Sequence, residues 1–265
     1  APLHADGLRG SLCYLGALCL QDALRNEAPT AVAGLQDAGV HVVMITGDSP
    51  ETAASIGRAC GIVNKTCDII LSGEELSKLS DTHVGDILPR IAVVARALPT
   101  DKSRLVRIAQ ERGLVVGMTG DGINDAPALR RADVGFSMGS GTQVAKDAGD
   151  IIILDNNLAT IVRAVLYGRG IFKNIRKFIT LQLTMNFCAV GVTMICPFLG
   201  YESPVTVVQM LWINMIMDTL GGLAFAGEAA LPEYMKEPPK RRDEPILNRY
   251  IINEILCLGG FTVAL

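Results

Sequence analysis

Residues 119–125 read TGDGIND, and this stretch decides the fold of the first half of the chain. It ends the apolar run Leu114–Thr119, which predicts a buried strand. The two glycines let the backbone turn tightly and approach a ligand. Asn124 and Asp125 then open a helix, whose N-terminus favours an anion. Carboxylates beside a helix start predict a site for Mg²⁺ and a phosphoryl group, with Asp121 facing the pocket.

Apolar runs alternate with helical patterns on both sides of this stretch. The runs predict strands at Leu12–Leu20, His41–Thr46, Ile91–Ala95, Leu114–Thr119, Val134–Phe136 and Ile151–Leu154. Such alternation is typical of a parallel sheet with helices on both faces. The working loops of such a sheet follow the carboxyl ends of its strands. The loops at 46–48 and 95–102 should therefore lie near residues 119–125.

Two further loops carry groups that suit a phosphoryl ligand. Thr46 offers a hydroxyl and Gly47 a backbone N–H, while Lys102 offers a point charge. Thr100 or Asp101 is expected to cap the helix that contains Lys102. Each feature alone is ordinary in a turn or a cap. Three of them at the ends of predicted parallel strands favour a single phosphate site.

Composition narrows the class of protein. The chain is 49% hydrophobic and 19% charged with a net charge of −3, and no basic block indicates a nucleic-acid partner. Its seven cysteines form no CxxC pair and are expected to be buried thiols in a reducing compartment. The first residue is not Met, and Gly259–Leu265 stops inside an apolar segment. We therefore expect a part of a longer protein.

The second half predicts membrane spans. Phe178–Leu199 carries no charge, and Val205–Ala226 carries only Asp218. At about 1.5 Å per residue each can cross a hydrocarbon core of roughly 30 Å. A third span, 251–265, is incomplete. Basic residues flank the pair of spans and are absent from the turn between them, so both ends should face the cytosol.

Three polar side chains inside the spans predict a cation site. Asn214 and Asp218 are four residues apart and share a helix face, and Asn186 lies at a similar depth. A charge in a bilayer costs roughly 2.5–3.5 kcal/mol, so Asp218 should be enclosed with a partner. Amide and carboxylate oxygens suit Ca²⁺. The alternative is a hydrogen bond among the three that only aids helix packing.

Several motifs together resemble those of P-type ATPases. They are MITGD at 44–48, ARALPTDK at 95–102 and TGDGINDAPAL at 119–129, together with a hinge-like Asp22 and Arg25 in which Ala23 replaces the family's proline. The resemblance extends through both spans. QLTMN at 182–186 is similar to the fifth membrane helix of calcium pumps, and MLWINMIMDT at 210–219 is similar to the sixth.

The resemblance implies a haloacid-dehalogenase-like α/β domain, incomplete here, joined by a stalk helix to transmembrane helices. The implied boundaries are 1–156 for the phosphorylation domain, 157–177 for the stalk and 178–265 for the membrane region. It also implies ATP and Mg²⁺ as ligands and an aspartyl-phosphate intermediate. The implied site residues are Asp121 for Mg²⁺; Thr46, Gly47, Asp48, Lys102, Asn124 and Asp125 around the phosphoryl group; and Arg96, Lys102, Asp22 and Arg25 for the nucleotide.

The family's nucleophile lies in an Asp-Lys-Thr-Gly-Thr run, which the chain does not contain. The resemblance therefore implies that the upstream part of the same polypeptide supplies it, and that this part alone is inactive. Two-site calcium pumps carry a glutamate three positions after the counterpart of Asn186. Ala189 stands there, which indicates one transported Ca²⁺, as in the plasma-membrane subgroup, completed by a glutamate from an absent helix.

The expected protein is thus a plasma-membrane pump that exports Ca²⁺, with its phosphorylation domain in the cytosol. Three alternatives stay open from the sequence. The cargo could be Na⁺, H⁺ or Mn²⁺. The chain could be a soluble phosphatase of the same sheet type, although two spans count against this. It could also be a membrane-anchored remnant without activity.

Overall fold

The computed structural model describes residues 24–202 and 205–265. The predicted strand Leu12–Leu20 and the hinge candidate Asp22 lie outside these residues. The described helices are α1 (Ala28–Asp37), α2 (Pro50–Ala59), α3 (Gly73–Lys78), α4 (Asp81–Ile87), α5 (Pro99–Glu111), α6 (Ala126–Arg131), α7 (Gln143–Ala148), α8 (Leu158–Phe198), α9 (Val207–Ala226) and α10 (Arg249–Ala264). The described strands are β1 (Met44–Ile45), β2 (Ile69–Ser72), β3 (Ile91–Ala95), β4 (Gly117–Gly120), β5 (Val134–Met138) and β6 (Ile151–Ile153).

The strands form two parallel sheets of three, in the orders β1-β3-β2 and β4-β5-β6. Strand β3 is central in the first sheet and buried at every position, as expected for an apolar strand covered on both faces. The predicted parallel α/β architecture is confirmed. Within the described residues it is divided into two sheets, and β1 and β4 each have a neighbour on one side only.

Helix α5 packs against parts of both sheets. Its residues Leu105 and Ile108 belong to a buried cluster that includes β3. Ile45 of β1 and Val116, which precedes β4, pack against this same cluster. Ile45 of β1 and Val116 before β4 therefore pack around one cluster that includes α5, and the loops that follow the two strands lie in the same region.

Two local features differ from the sequence predictions. Strand β2 was not predicted, because Ser72 both ends the strand and caps α3 through a reciprocal pair of hydrogen bonds with Glu75. Helix α5 begins at Pro99 rather than after Thr100. Asp101 still satisfies the helix start, since its Oδ2 accepts a hydrogen bond from the Leu98 N–H at 2.9 Å.

Helix α8 is continuous from the α/β domain into the apolar region. It begins at a cap in which Asn157 Oδ1 accepts a hydrogen bond from Ala159 N at 2.9 Å, and it ends at Phe198. Among the described residues, α8 and α9 are the two helices long and apolar enough to cross a membrane. Many of their apolar side chains are exposed, as on surfaces that lipid or other helices cover.

Helix α10 packs closely against α8. Its residues Ile251, Ile255 and Gly259 are buried at a spacing of four. A Cβ at Gly259 would lie 2.5 Å from the Phe187 ring, whereas a Cβ at Gly260 would meet no atom within 4 Å. The contact therefore requires glycine at position 259 and not at its neighbour.

Candidate phosphate site, cation site and junction loop

Asp125 and Lys102 form a buried ion pair at the carboxyl end of the sheets. Asp125 is only 7% exposed, and its Oδ1 accepts a hydrogen bond from Lys102 Nζ at 2.6 Å. Its Oδ2 accepts longer hydrogen bonds from the backbone N–H groups of Asp121 and Gly122, both at 3.3 Å. A Cβ at Gly120 would lie 2.4 Å from that of Asp125, so this approach requires glycine. The ion pair holds the positively charged ammonium group of Lys102 beside the turn that follows β4.

Asp121 differs from Asp125 because its carboxylate is exposed and makes no hydrogen bond or ion pair within the described residues. Its backbone is held instead, since Thr142 N donates to Asp121 O at 2.8 Å and Gly141 lies against it. Asn124 is exposed beside it. One available carboxylate fits Mg²⁺, which takes one or two carboxylates with waters and phosphate oxygens. The described residues contain no larger cluster of metal-binding side chains.

The loops after β1 and β3 are tied together. Arg96 N donates to Asp48 O and Ala97 N donates to Thr46 O, each at 2.9 Å. The Thr46 hydroxyl donates to Asp48 Oδ2 at 2.8 Å and accepts from Asp48 N at 3.1 Å. Gly47 is exposed, with no atom near the position of a Cβ. The predicted residues of this loop therefore form an open turn beside the loop that leads to Lys102.

Arg96 and Arg25 occupy different places. Arg96 is exposed and has a left-handed backbone (φ 47°), which a non-glycine residue adopts at some cost. Arg25 lies at the end of β6, where its Nη1 donates to Asn156 O at 2.6 Å. The Asn156 side chain accepts in turn from Ser140 N at 2.9 Å. The two predicted nucleotide-binding arginines are not brought into contact in the described structure.

The loop that follows β5 was not predicted to be part of the site. Ser140, Gly141 and Thr142 lie between the Asn156 side chain and the backbone of Asp121. The signal was available, because residues 139–142 read GSGT directly after a predicted strand. This loop contacts the backbone of Asp121 through Gly141 and Thr142.

The three predicted cation ligands lie on the antiparallel helices α8 and α9. Asn186 and Asn214 are half-buried, and Asp218 is exposed. No hydrogen bond joins the three in the described part of the chain. The enclosure predicted around Asp218 is therefore not provided by these residues alone, and the carboxylate lies on a surface with exposed apolar neighbours such as Leu211 and Met215. Their role as ligands stays a prediction.

A junction loop, residues 227–248, connects α9 to α10 and packs against the part of α8 that precedes the apolar segment. Arg169 of α8 donates from Nη1 to Tyr234 O and Glu237 O, both at 2.8 Å. Its Nη2 donates to Ala38 O, at the end of α1, at 2.6 Å. Burial lowers the pKa of this guanidinium, and the Glu237 charge opposes that shift. One side chain thus joins α8, the junction loop and the α/β domain.

Charged pairs extend this junction along α8. Lys173 forms an ion pair with Glu237 and lies 4.1 Å from the centre of the Tyr234 ring. One turn further on, Lys177 pairs with Glu228. The loop is therefore fastened to α8 over two turns just before the apolar span.

The junction loop also contacts the α/β domain directly. Arg242 forms an ion pair with Asp133 at 3.2 Å. A Cβ at Gly39, which has φ 75°, would lie 2.7 Å from Pro239 Cδ. Two separate contacts thus place the loop against the domain that carries Lys102 and Asp121.

Comparison with known proteins places these features in a family. A family model described as haloacid dehalogenase-like hydrolase matches residues 5–133, and one described as cation transporting ATPase, C-terminus, matches residues 202–265. Calcium-transporting ATPase 2 of Schizosaccharomyces pombe is 41% identical over 99% of this chain and 20% of its own length. Plasma membrane calcium-transporting ATPase 3 of Homo sapiens is 40% identical over 97% of this chain and 22% of its own length.

Among solved structures, a zinc-transporting PIB-type ATPase in the E2.Pi state matches with a TM-score of 0.54 and 28% identity, over 82% of this chain and 28% of that one. The chain spans about a fifth to a quarter of the length of the curated relatives it matches. The two family models, the relatives and this structure agree over both halves of the chain. The chain therefore belongs to the P-type family of cation-transporting ATPases.

Proposed function

We propose that the chain is part of an ATP-driven pump that forms an aspartyl-phosphate intermediate and exports Ca²⁺ from the cytosol across the plasma membrane. Residues 1–156 would be the C-terminal part of the phosphorylation domain, 157–177 the stalk, and 178–265 the membrane region. The observation that carries the proposal is helix α8, which runs unbroken from the phosphate-site domain to the polar residue Asn186.

The described residues support phosphoryl transfer in three ways. Lys102, held by Asp125, would neutralise charge on the phosphoryl oxygens. The open turn at Thr46 and Gly47 would offer a hydroxyl and a backbone N–H to them, once the hydroxyl turns away from Asp48. Asp121 would hold Mg²⁺, which supplies positive charge to the phosphoryl group when bound. Asn124 would support the same site.

The nucleophilic aspartate would come from the rest of the protein. The edges of β1 and β4 are each open on one side in the described residues, and Ile45 of β1 and Val116 before β4 pack against the same cluster that includes α5. A parallel strand inserted between them would join the two sheets. Its carboxyl end would lie beside Lys102 and Asp121, which is where an attacking carboxylate is needed.

The junction loop would couple this chemistry to transport. Arg169 and the ion pairs of Lys173 and Lys177 fasten the loop to α8, and Arg242 fastens it to the α/β domain. Movement of the domain would therefore reach α8 and the loop that leads from α9 together. These are the helices that carry the predicted cation ligands.

The cargo site would consist of Asn186, Asn214 and Asp218, completed by a helix from elsewhere in the protein that covers the exposed carboxylate. The relatives named above as calcium-transporting support Ca²⁺ as the cargo. The zinc-transporting structural neighbour shows that this fold alone does not choose the ion. The choice of Ca²⁺ therefore rests on the sequence relatives and on hard oxygen ligands.

Uptake assays on the complete protein in sealed membrane vesicles test the proposal. We expect ATP-driven accumulation of ⁴⁵Ca²⁺ that Asp218→Asn reduces at least tenfold, and none driven by ATP for Na⁺ or Mn²⁺ under the same conditions. Asp243→Asn, at an exposed position in the junction loop, is the control and should leave uptake unchanged. Uptake that is unaffected by Asp218→Asn would contradict the assignment of the cargo site.

A further inference from the structure

Gln182 on α8 has a buried amide oxygen without a partner. Its Oε1 is one of two buried side-chain oxygen or nitrogen atoms that make no hydrogen bond within the described residues. An unsatisfied amide is costly in an apolar environment, and more so inside a bilayer, where no water can replace the missing partner. The position therefore needs an explanation other than packing.

The stripe of α8 that holds Gln182 faces α9. Phe178 and Asn186 lie one turn before and one turn after Gln182 on the same helix face. The Phe178 ring lies 6.4 Å from that of Phe225 on α9, and a Cβ at Gly221 would contact Phe178. Gln182 thus lies between a residue that contacts α9 and a predicted cation ligand.

The register of the two helices sets the depth of Gln182. Gly221 lies beside Phe178 and Leu181, and α8 and α9 run in opposite directions. Moving three residues back along α9 from Gly221 reaches Asp218, about 4.5 Å away along the axis. The same step forward along α8, taken from the midpoint between Phe178 and Leu181, ends between Gln182 and Leu183. Gln182 is therefore level with Asp218, as Asn186 is with Asn214.

We propose that Gln182 binds the transported cation through its amide oxygen, at the level of Asp218. This inference rests on the proposed function and adds a neutral ligand to the cargo site. An amide oxygen is a hard ligand of the kind that Ca²⁺ accepts. It adds no charge, so the site keeps a low net charge that matches a single divalent ion.

Substitutions in the complete protein test this. Gln182→Met keeps the length and apolar stem but removes the oxygen, whereas Gln182→Glu keeps an oxygen at the same place. We expect Gln182→Met to raise the Ca²⁺ concentration for half-maximal uptake about tenfold or more, with the maximal rate within about twofold of wild type. Gln182→Glu should retain a half-activating concentration within about threefold of wild type.

Thr184→Val is the matched control, because its hydroxyl donates to Thr180 O of its own helix at 2.8 Å. It should leave the half-activating concentration unchanged. If Gln182→Met changes only the amount of protein in the membrane, or leaves the Ca²⁺ dependence unchanged, Gln182 serves helix packing and the inference is wrong. Should Gln182→Met be inactive, Gln182→Glu decides, and its inactivity would overturn the inference.

The same experiment separates this inference from the proposed function. If Asp218→Asn abolishes uptake and Gln182→Met leaves the Ca²⁺ dependence unchanged, only the role of Gln182 fails. If Asp218→Asn itself leaves uptake unchanged, the cargo site and therefore the proposed function fail.

Discussion

Replacing Arg169 by Met should release the junction loop from the stalk. The side chain donates three hydrogen bonds, to the carbonyl oxygens of Tyr234, Glu237 and Ala38, at 2.6–2.8 Å. Hydrogen bonds from a charged donor contribute roughly 1.5–3 kcal/mol each, which gives at least about 4.5 kcal/mol for three. Arg169 is half-buried, and water can reach some of the carbonyls after the change. We therefore expect a loss of about 3 kcal/mol in the free energy of loop opening.

Limited trypsin digestion of the complete protein in membranes measures that opening. A loss of about 3 kcal/mol increases the open population about a hundredfold. Where opening and closing are faster than cleavage, the cleavage rate rises by the same factor. The bonds to follow are those after Lys236, Lys240 and Arg241. Arg163→Met, at an exposed position on the same helix, is the control. Equal cleavage rates in both variants and the wild type would refute the reasoning.

Gly170→Leu should detach the junction loop and lower the thermal unfolding midpoint, because a Cβ there would lie 2.8 Å from that of Ala230, whereas Gly168→Leu, with no atom within 4 Å, should not. Lys102→Met leaves a buried carboxylate without its charged partner and should destabilise the α/β domain by about 3 kcal/mol in denaturant titrations. This is the low end for buried pairs, because Lys102 is 17% exposed. The Thr160 hydroxyl and the Asn157 N–H donate hydrogen bonds to the Asp155 carboxylate and lower its pKa. The stabilisation that this carboxylate contributes should be complete above the ordinary pKa of about 3.9 and be lost as the pH falls through the lowered pKa. NMR titration of the Asp155 carboxyl group measures the pKa, and an unshifted pKa would contradict the prediction.

The sequence predicted the architecture where the pattern of apolar residues and the positions of turn residues agree. Apolar runs ending in glycine turns predicted β1, β4 and their loops, and the apolar run Ile91–Ala95 predicted β3. The charge-free run after Lys177 predicted that α8 continues into an apolar segment. The predictions fell short where a few residues serve two purposes. Ser72 ends β2 and caps α3, so the short strand was not recognised. The start of α5 was displaced because Pro99 opens the helix and Asp101 acts from inside it.

For the candidate sites, the sequence predicts which residues lie close together but not how each side chain is engaged. Residue types and their spacing identify Lys102, Asp121 and Asp125, since parallel strands bring their loops together. Residue types and spacing do not show that the Asp125 carboxylate is hydrogen-bonded to Lys102 and to two backbone N–H groups. Nor do they show that the Asp121 carboxylate makes no such bond within the described residues. The roles of Arg169 and Gln182 could not be predicted from the sequence. Arg169 donates hydrogen bonds to backbone carbonyls that are distant in the chain, and the position of Gln182 depends on the register of two helices.

We propose that a cation bound between α8 and α9 controls phosphoryl transfer in the α/β domain. Ca²⁺-dependent phosphorylation of the complete protein by ATP tests it most directly. We predict an acyl phosphate, labile to hydroxylamine, that forms only with Ca²⁺ and is absent from Asp218→Asn at Ca²⁺ concentrations that saturate the wild type. Phosphorylation of equal extent with and without Ca²⁺, or unchanged in Asp218→Asn, would contradict the claim.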